Sequence, residues 1–497
     1  MVAVQSRDVP IQGEQKYLIE SSVLCVDMDG TLLRTDTLYE CFLASVKARP
    51  ALLLHVPFWL TRGRYGFKQV LTERARDLFH SRTCPREPEV EQLIRDARAQ
   101  GRGVELVSAA DHTLIEAQPD LVGMFDHVIG SRDGVNLKAE EKAALLARRH
   151  PEGFAYVGNS SADLPVWRLA RERFGVNLPD RVRRRARAEG LDVVEIAEAP
   201  PLVPALLRSM RLHQWLKNLL MLVPFGLSLG HADLGGLLTV LVGFVLLGCL
   251  TSGTYLVNDL LDLESDRGHP RKRRRPIPSG DLPLPAAIVA SLLLVGGALL
   301  GGLVLKPAFG GALLVYLAVT LAYSLRLKRM GLVDVLVIAF LFTLRIVAGM
   351  VLLEQAPSHW LLMFSIFFFT SLAFMKREVE LNVMHNAGKQ AIEGRGYALD
   401  DRIYVLGCGL SSSMASLVVF AMFVSATVEL RSASYASPAL LWGALAVIGY
   451  WILRMWLLTT RGLMDDDPIL YAARDRTSLL LGAGAVLSVV AAQVVRL

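Results

Sequence analysis

The sequence predicts two parts of different class. A soluble α/β domain with a helical cap is expected over residues 21–190, and an all-α polytopic membrane bundle of nine transmembrane helices over 208–497. Three observations predict this. Hydrophobic residues make up 53% of the 497-residue chain but are concentrated after about residue 205, whereas residues 1–200 are charged. Short apolar runs of strand length in the first part lead into polar residues with catalytic chemistry. Nine apolar runs in the second part alternate with loops, and every second loop is basic.

Residues 1–20 read as a polar tail without a signal-peptide core. The net charge of +6 needs no nucleic acid, because the basic residues gather in loops where anionic lipid and phosphate account for them. Cys25, Cys41, Cys84, Cys249 and Cys408 form no CxxC pair, as expected of reduced thiols.

Residues 22–27 form a buried parallel strand ending in Asp27, at the strand end where open α/β sheets place their sites. The motif Asp27-Met28-Asp29-Gly30-Thr31 offers a nucleophile towards phosphorus, Asp27, and a general acid, Asp29, with Gly30 and Thr31 allowing a sharp turn. A second strand, Val104 to Val107, leads into Ser108, whose hydroxyl suits a phosphate. Lys142 opens a helical segment and suits phosphate charge, with Lys138 as the alternative. A third strand, Phe154 to Val157, precedes Asn159 and Asp163. The cap is expected between Thr37 and about Glu91. It contains an apolar run at 51–60, too short to span a bilayer, which needs about twenty apolar residues. With Arg62, Arg64 and Lys68 beside it, the run either packs within the cap or dips into the membrane interface.

These four elements in this order resemble the haloacid dehalogenase superfamily, a Rossmann-like α/β fold, over roughly residues 20–190. The resemblance implies a phospho-aspartyl intermediate on Asp27, acid/base work by Asp29, and phosphate binding by Ser108 and Lys142. It also implies a Mg2+ site built from Asp27, Asp29 (through its carbonyl), Asn159 and Asp163. Asn159 departs from the family pattern, in which an Asp is common.

After a linker at 191–207, apolar runs occur near 214–230, 236–256, 283–304, 308–325, 331–353, 359–375, 403–427, 438–459 and 477–496. Arg208, Arg211 and Lys217 flank the first; Arg267 to Arg275 follow the second; Arg326, Lys328 and Arg329 follow the fourth. Lys376, Arg377, Lys389, Arg395 and Arg402 follow the sixth, and Arg461, Arg474 and Arg476 the eighth. The other loops carry almost no basic residue beyond Lys306 and Arg431. This asymmetry places the N-terminus, the soluble domain and both candidate sites on the cytoplasmic side of a bacterial-type inner membrane, with the C-terminus outside.

The chemistry of the membrane part centres on the loop after the second run. Asp259, Asp262 and Asp266 share one helical face at spacing i, i+3, i+7, and Asn258 lies one turn before Asp262. Carboxylates that close call for a cation, and magnesium bridging to substrate phosphates is the natural one. Arg271, Lys272, Arg273, Arg274 and Arg275 follow and suit a diphosphate. A solvated helix end plus a topology signal would explain the arginines but not the acidic face. Other polar residues recur at the same membrane face: Gln214 to Asn218, with Lys217 and Asn218; Tyr323 and Lys328; Asp334. Arg345 lies inside a run, as a functional group or as a structural partner of a neighbouring helix. Lys376, Arg377, Glu378 and Glu380 end the sixth run, where the two glutamates form either a weaker acidic site or ordinary ion pairs.

Nine spans with an N-D-x-x-D motif after the second resemble the UbiA-type intramembrane prenyltransferase superfamily over about residues 205–497. Members carry a second Asp-rich motif after span six, where this chain has KREVELN. With QWLKN at 214–218, YLVNDLLDLESDRGHP at 255–270 and KRRRPI at 272–277, that departure resembles the decaprenyl-phosphate phosphoribosyltransferase branch. The resemblance implies transfer of 5-phosphoribose from phosphoribosyl pyrophosphate to a polyprenyl phosphate. Asp259 and Asp262 would be catalytic. Asn258, Asp259, Asp262 and Asp266 would hold Mg2+. Lys217, Asn218, Lys272, Arg273, Arg275, Tyr323, Lys328, Arg345, Lys376, Arg377 and Glu380 would bind substrate. Cell-wall or extracellular glycan synthesis follows from the same resemblance. Two other classes stay open: an isoprenyl diphosphate transferase with an aromatic or lipid acceptor, and a membrane scaffold with a non-catalytic phosphate-binding domain.

Overall fold

The computed structural model describes residues 21–55, 58, 70–75, 77–132, 135–228, 233–386, 395–429, 435–464 and 467–496. The expected polar tail, Arg62, Arg64, Lys68, Lys389 and Arg431 lie outside them. The chain packs as two compact units. One comprises the residues up to Met210 with Leu256–Val289, the other Arg211–Tyr255 with Ala290–Leu497.

In the first unit, six parallel strands form one sheet in the order β3-β2-β1-β4-β5-β6. They are β1 Val23–Val26, β2 Gly103–Asp111, β3 His127–Ser131, β4 Ala155–Gly158, β5 Glu172–Val176 and β6 Val194–Ala197. Strand β1 pairs with β2 from Val23↔Gly103 to Val26↔Leu106, and with β4 from Leu24↔Ala155 to Val26↔Val157. Both faces of β1 are covered, which is why its run is continuously apolar. Leu24 and Val26 join Val104, Leu106, Val157 and Phe174 on one side; Cys25 joins Tyr156, Leu146 and Trp167 on the other. The chain order reverses between β1 and β4, so the carboxyl ends of these two strands flank the crevice where such sheets bind ligands.

The insertion after β1 begins with helix α1, Thr37–Ala48, capped by Asp36 through Leu38 N at 2.9 Å. A 3-10 turn, Pro50–His55, follows. Helix α2, Pro88–Ala99, lies at the expected end of the cap but buries Val90, Leu93, Ile94 and Ala97 in the core of the sheet. Strand β6 falls inside the expected linker at 191–207, so the sheet continues past residue 190; helix α3, Leu202–Met210, follows it.

In the second part of the chain, eight helices among the described residues are long and apolar enough to cross a membrane. They are Leu234–Leu261, Leu284–Leu305, Pro307–Leu325, Val333–Leu352, His359–Asn386, Leu399–Glu429, Pro438–Thr460 and Arg476–Val494. Val333–Leu352 is the most enclosed of the eight and Arg476–Val494 the least. Side chains such as Leu480 and Leu487 stand exposed, as lipid-facing residues do.

The expected span at 214–230 is not among the eight. Leu212–Leu222 winds as a 3-10 helix and Val223–Leu227 as a short α-helix with Pro224 in its first turn. Polar anchors hold this stretch: Trp215 Nε1 donates to Ser252 Oγ at 2.9 Å and Lys217 Nζ meets Asp467 at 2.6 Å. Pro224 supplies no backbone N–H to carry a regular ladder through the junction.

Candidate active sites

Asp27 follows β1, and its Oδ1 accepts from Lys142 Nζ at 2.8 Å. Lys142 comes from the helix Glu140–Arg149, and its ammonium also donates to Tyr156 OH at 3.1 Å. Tyr156 OH in turn donates to Asp163 Oδ1 at 2.6 Å. The other oxygen of Asp163 accepts from Asn159 N, Ser160 N and Ser160 Oγ at 3.0, 2.9 and 3.0 Å. Asp163 therefore holds the turn after β4 rather than offering a vacant oxygen. Asn159 lies over the catalytic turn: a Cβ on Gly30, whose φ is +70°, would stand 2.0 Å from Asn159 Nδ2. Only glycine fits there. Asp29 accepts from Thr37 N at 2.8 Å and Thr37 Oγ1 at 3.1 Å, at the N-terminus of α1. Ser108 is buried within β2, two residues past the last β2 residue paired with β1, its Oγ accepting from Ala110 N at 3.0 Å. Lys142, not Lys138, meets Asp27. Tyr156, the bridge between Lys142 and Asp163, is a residue the sequence reading placed only in a strand.

Burial pushes Asp27 up to about 6 against the pull of Lys142. Burial, with Asp36 adding to it, pushes Asp29 up to about 7. Burial disfavours the Lys142 charge, but Asp27 and Asp163 outweigh it and raise its pKa. A nucleophile must be ionised and a leaving-group acid protonated. With phosphomonoester substrate, kcat/KM is therefore expected to rise through about pH 6 and fall through about pH 7. A divalent cation on Asp27 moves the rising limb lower, and Asp29→Asn removes the falling limb. A pH–rate series on wild type and variant checks this.

The donors Asp27, the Asp29 carbonyl and Asn159 are hard oxygen groups that suit magnesium, with one carboxylate fewer than an Asp at 159 would give. Elsewhere in this unit, the Asp-rich stretch is interrupted at Asp262, which stands between the long helix ending at Leu261 and the short helix Leu263–Gly268. Asp259 and Asp266 still converge: Arg275 Nη1 lies 3.1 Å from Asp259 Oδ1 and 2.7 Å from Asp266 Oδ2. Lys272 Nζ is 3.3 Å from Asp266, and Arg273 is exposed. Both carboxylates are buried, and Asn258 Oδ1 is buried with no hydrogen-bond partner among the described residues. An orphaned carbonyl oxygen beside clustered carboxylates fits a hard cation.

In the second unit, three expected substrate contacts are corrected. Arg377 is fully buried, with Nε 3.2 Å from Asp334 and Nη1 against Glu380, so its charge is taken up by two carboxylates within the protein. Glu380 also meets Arg395 at 3.3 Å, and Glu378 meets Arg402 at 2.8 Å through one of its two oxygens, so both glutamates form ion pairs. Arg345 donates through each of its three nitrogens to groups inside the bundle, Asn218 Oδ1, Leu341 O and Tyr316 OH, at 3.0, 2.7 and 2.6 Å. Tyr323 accepts from Arg395 at 3.0 Å, and Lys328 is half-buried. Asp467 was missed. It draws Lys217 to 2.6 Å and Lys376 to 3.4 Å, uniting two expected phosphate ligands. The Asp-Pro step before a short helix was the available signal; Asp467 caps that helix through Ile469 N at 3.1 Å.

The pattern of the UbiA prenyltransferase family matches residues 219–474, and that of the haloacid dehalogenase-like hydrolases matches residues 24–168. The uncharacterized protein y4nM of Sinorhizobium fredii is 39% identical over 93% of this chain and 89% of its own. Nodulation protein NoeC of Azorhizobium caulinodans is 33% identical over 57% of this chain and 91% of its own. Decaprenyl-phosphate phosphoribosyltransferase of Mycobacterium tuberculosis is 33% identical over 39% of this chain and 66% of its own.

Proposed function

The chain belongs to the UbiA prenyltransferase family and carries a haloacid dehalogenase-like hydrolase segment ahead of it, and from this we propose a membrane enzyme that makes polyprenyl-phosphoryl-ribose in two steps. In the first, an oxygen of polyprenyl phosphate attacks C1 of phosphoribosyl pyrophosphate and the C1–pyrophosphate bond breaks. The lipid phosphate is already an anion, so no strong base is needed. Asn258, Asp259, Asp262 and Asp266 would hold magnesium, which would supply positive charge for the departing pyrophosphate. Lys217, Lys272, Arg273, Arg275 and Lys376 bind phosphates. In the second step, Asp27 attacks phosphorus of the ribose 5-phosphate and Asp29 protonates the leaving 5-oxygen. Water then cleaves the aspartyl phosphate, releasing inorganic phosphate.

One observation carries the choice of substrate. After the sixth run the sequence KREVELN carries no second Asp-rich motif, and Glu380 there is paired with Arg377 and Arg395. One acidic site suits one diphosphate substrate with a monophosphate acceptor. The phosphoribosyltransferase relative supports the same choice, over 39% of the chain.

Orientation is part of the proposal: the basic loops face the cytoplasm. We assign a ninth crossing to 212–227. Eleven 3-10 residues at about 2 Å each and five α residues at about 1.5 Å each reach about 30 Å, the thickness of a bilayer core. This puts the C-terminus outside.

The test is incubation of the protein, in detergent with magnesium, with polyprenyl phosphate and phosphoribosyl pyrophosphate, followed by mass spectrometry of the lipid. Lipid that gains ribose without extra phosphate supports both steps. No product, with isoprenyl diphosphate consumed instead, overturns the proposal in favour of prenyl transfer.

A further inference from the structure

We propose that Arg267, from the Asp-rich stretch, is a positioning residue for the phosphatase reaction; this rests on the phosphatase half of the function proposed above. Arg267 directly follows Asp266, yet its side chain serves the catalytic turn of the α/β domain within the same unit. Nη1 donates to Glu40 Oε2 at 3.1 Å and Nη2 to Glu40 Oε1 at 2.6 Å, a two-pronged pair. Nε donates to Pro278 O at 3.2 Å and Nη1 to Cys84 Sγ at 3.6 Å. The pair is nearly sealed, its side chains 6% and 9% exposed.

Glu40 lies in the first turn of α1 and also accepts from Thr35 Oγ1. The Thr35 carbonyl accepts from Gly30 N at 3.0 Å, and Thr37 holds both oxygens of Asp29. A continuous set of short polar contacts thus runs from Arg267 through Glu40 and Thr35 to the turn that carries Asp29. A second tie lies beside it. Arg34 Nη2 meets Asp281 at 3.0 Å, and Gly280, at φ +80°, approaches so closely that a Cβ there would lie 2.5 Å from Arg34 O. Both ties grip residues 34–40, which hold the general acid; neither grips the sheet.

Removing Arg267 leaves Glu40 buried without its cation, and such a carboxylate turns towards water or recruits another partner. Either movement releases Thr35 and shifts Asp29. A misplacement of about 1 Å in catalytic geometry costs about 100-fold in rate. The stretch that the first reaction uses for its diphosphate therefore also sets the acid of the second.

The test uses the full-length protein in detergent with magnesium and ribose 5-phosphate as the phosphatase probe. Arg267→Ala is expected to lower kcat about 100-fold with KM changed less than about threefold, and Arg267→Lys to recover part of it through one donor in place of two. Hydrogen exchange is expected to quicken over residues 28–40 and to stay unchanged over β2 and β4. Wild-type kcat in Arg267→Ala overturns the proposal. So does faster exchange spread equally over the sheet, which would make the pair a general structural contact. If the wild type leaves ribose 5-phosphate intact, the phosphatase reading falls. Exchange over 28–40 then decides the clamp by itself: selective loosening upholds it, and no change overturns it.

Discussion

Asp27→Asn protein, supplied with polyprenyl phosphate, phosphoribosyl pyrophosphate and magnesium, is expected to accumulate phosphoribosyl lipid, where the wild type proceeds to ribosyl lipid. The amide cannot attack phosphorus, so phosphatase turnover should fall by about 10⁴-fold or more. The first step should continue, because Asp259, Asp262 and Asp266 are untouched. The fold should survive the change. Burial lifts Asp27 from 3.8 to about 6 even with Lys142 at 2.8 Å, so the charged carboxylate opposes folding. A group whose pKa rises on folding weakens the folded state as pH climbs from about 4 to about 6, and the deficit is complete above that. Without magnesium, the variant removes this deficit but also leaves the Lys142 ammonium, whose pKa Asp27 raises, with Asp163 as its remaining counter-charge, so the two effects oppose and the melting temperature at pH 8 is expected to stay near that of the wild type. A variant that forms only ribosyl lipid, as the wild type does, would sink the coupling of the two steps. Lipid analysis and melting curves on the same preparation give both readings.

What could be read from the residues depended on how local the determinant was. Strand β1 with Asp27, β2 with Ser108 and β4 with Asn159 announce themselves because a buried parallel strand must be apolar up to the turn that carries the polar group. The carboxylates Asp259 and Asp266 were legible as one face because helical spacing is a local rule, and it survives the interruption at Asp262. Pairings across the fold were not legible. Arg377 and Asp334 lie on different helices, and nothing in either helix says that the arginine turns inward. Asp467 gathers Lys217 and Lys376 from segments 250 and 91 residues away. Strand β6 read as linker because only Ile196 of its four residues is buried, too little for an apolar signal. The stretch 212–222 looked like any apolar helix; its 3-10 form accompanies polar anchors whose partners, Ser252 and Asp467, are distant in the chain.

Asp259→Asn is expected to reduce phosphoribosyl transfer by about 10³-fold and to raise the magnesium needed for half-maximal rate, while ribose 5-phosphate hydrolysis persists. The argument begins with Arg275. Its Nη1 lies between Asp259 and Asp266, occupying the place a cation must take among carboxylates that are 3% and 1% exposed. On the proposed site, magnesium and Arg275 would compete for the same oxygens, and the guanidinium would move towards the phosphates as the cation entered. Losing one carboxylate weakens the metal's hold and leaves Arg275 bound to Asp266 alone. Arg275→Ala should show the opposite pattern on the metal: half-saturation at lower magnesium, yet slower transfer, because a phosphate ligand is gone. Asn258→Ala, which deletes the orphaned amide oxygen, should fall between wild type and Asp259→Asn. Magnesium titrations of transfer rate on the four proteins separate these outcomes. Equal half-saturation in wild type, Asp259→Asn and Arg275→Ala would show that the cation sits elsewhere and would remove the Asp-rich stretch from the metal site.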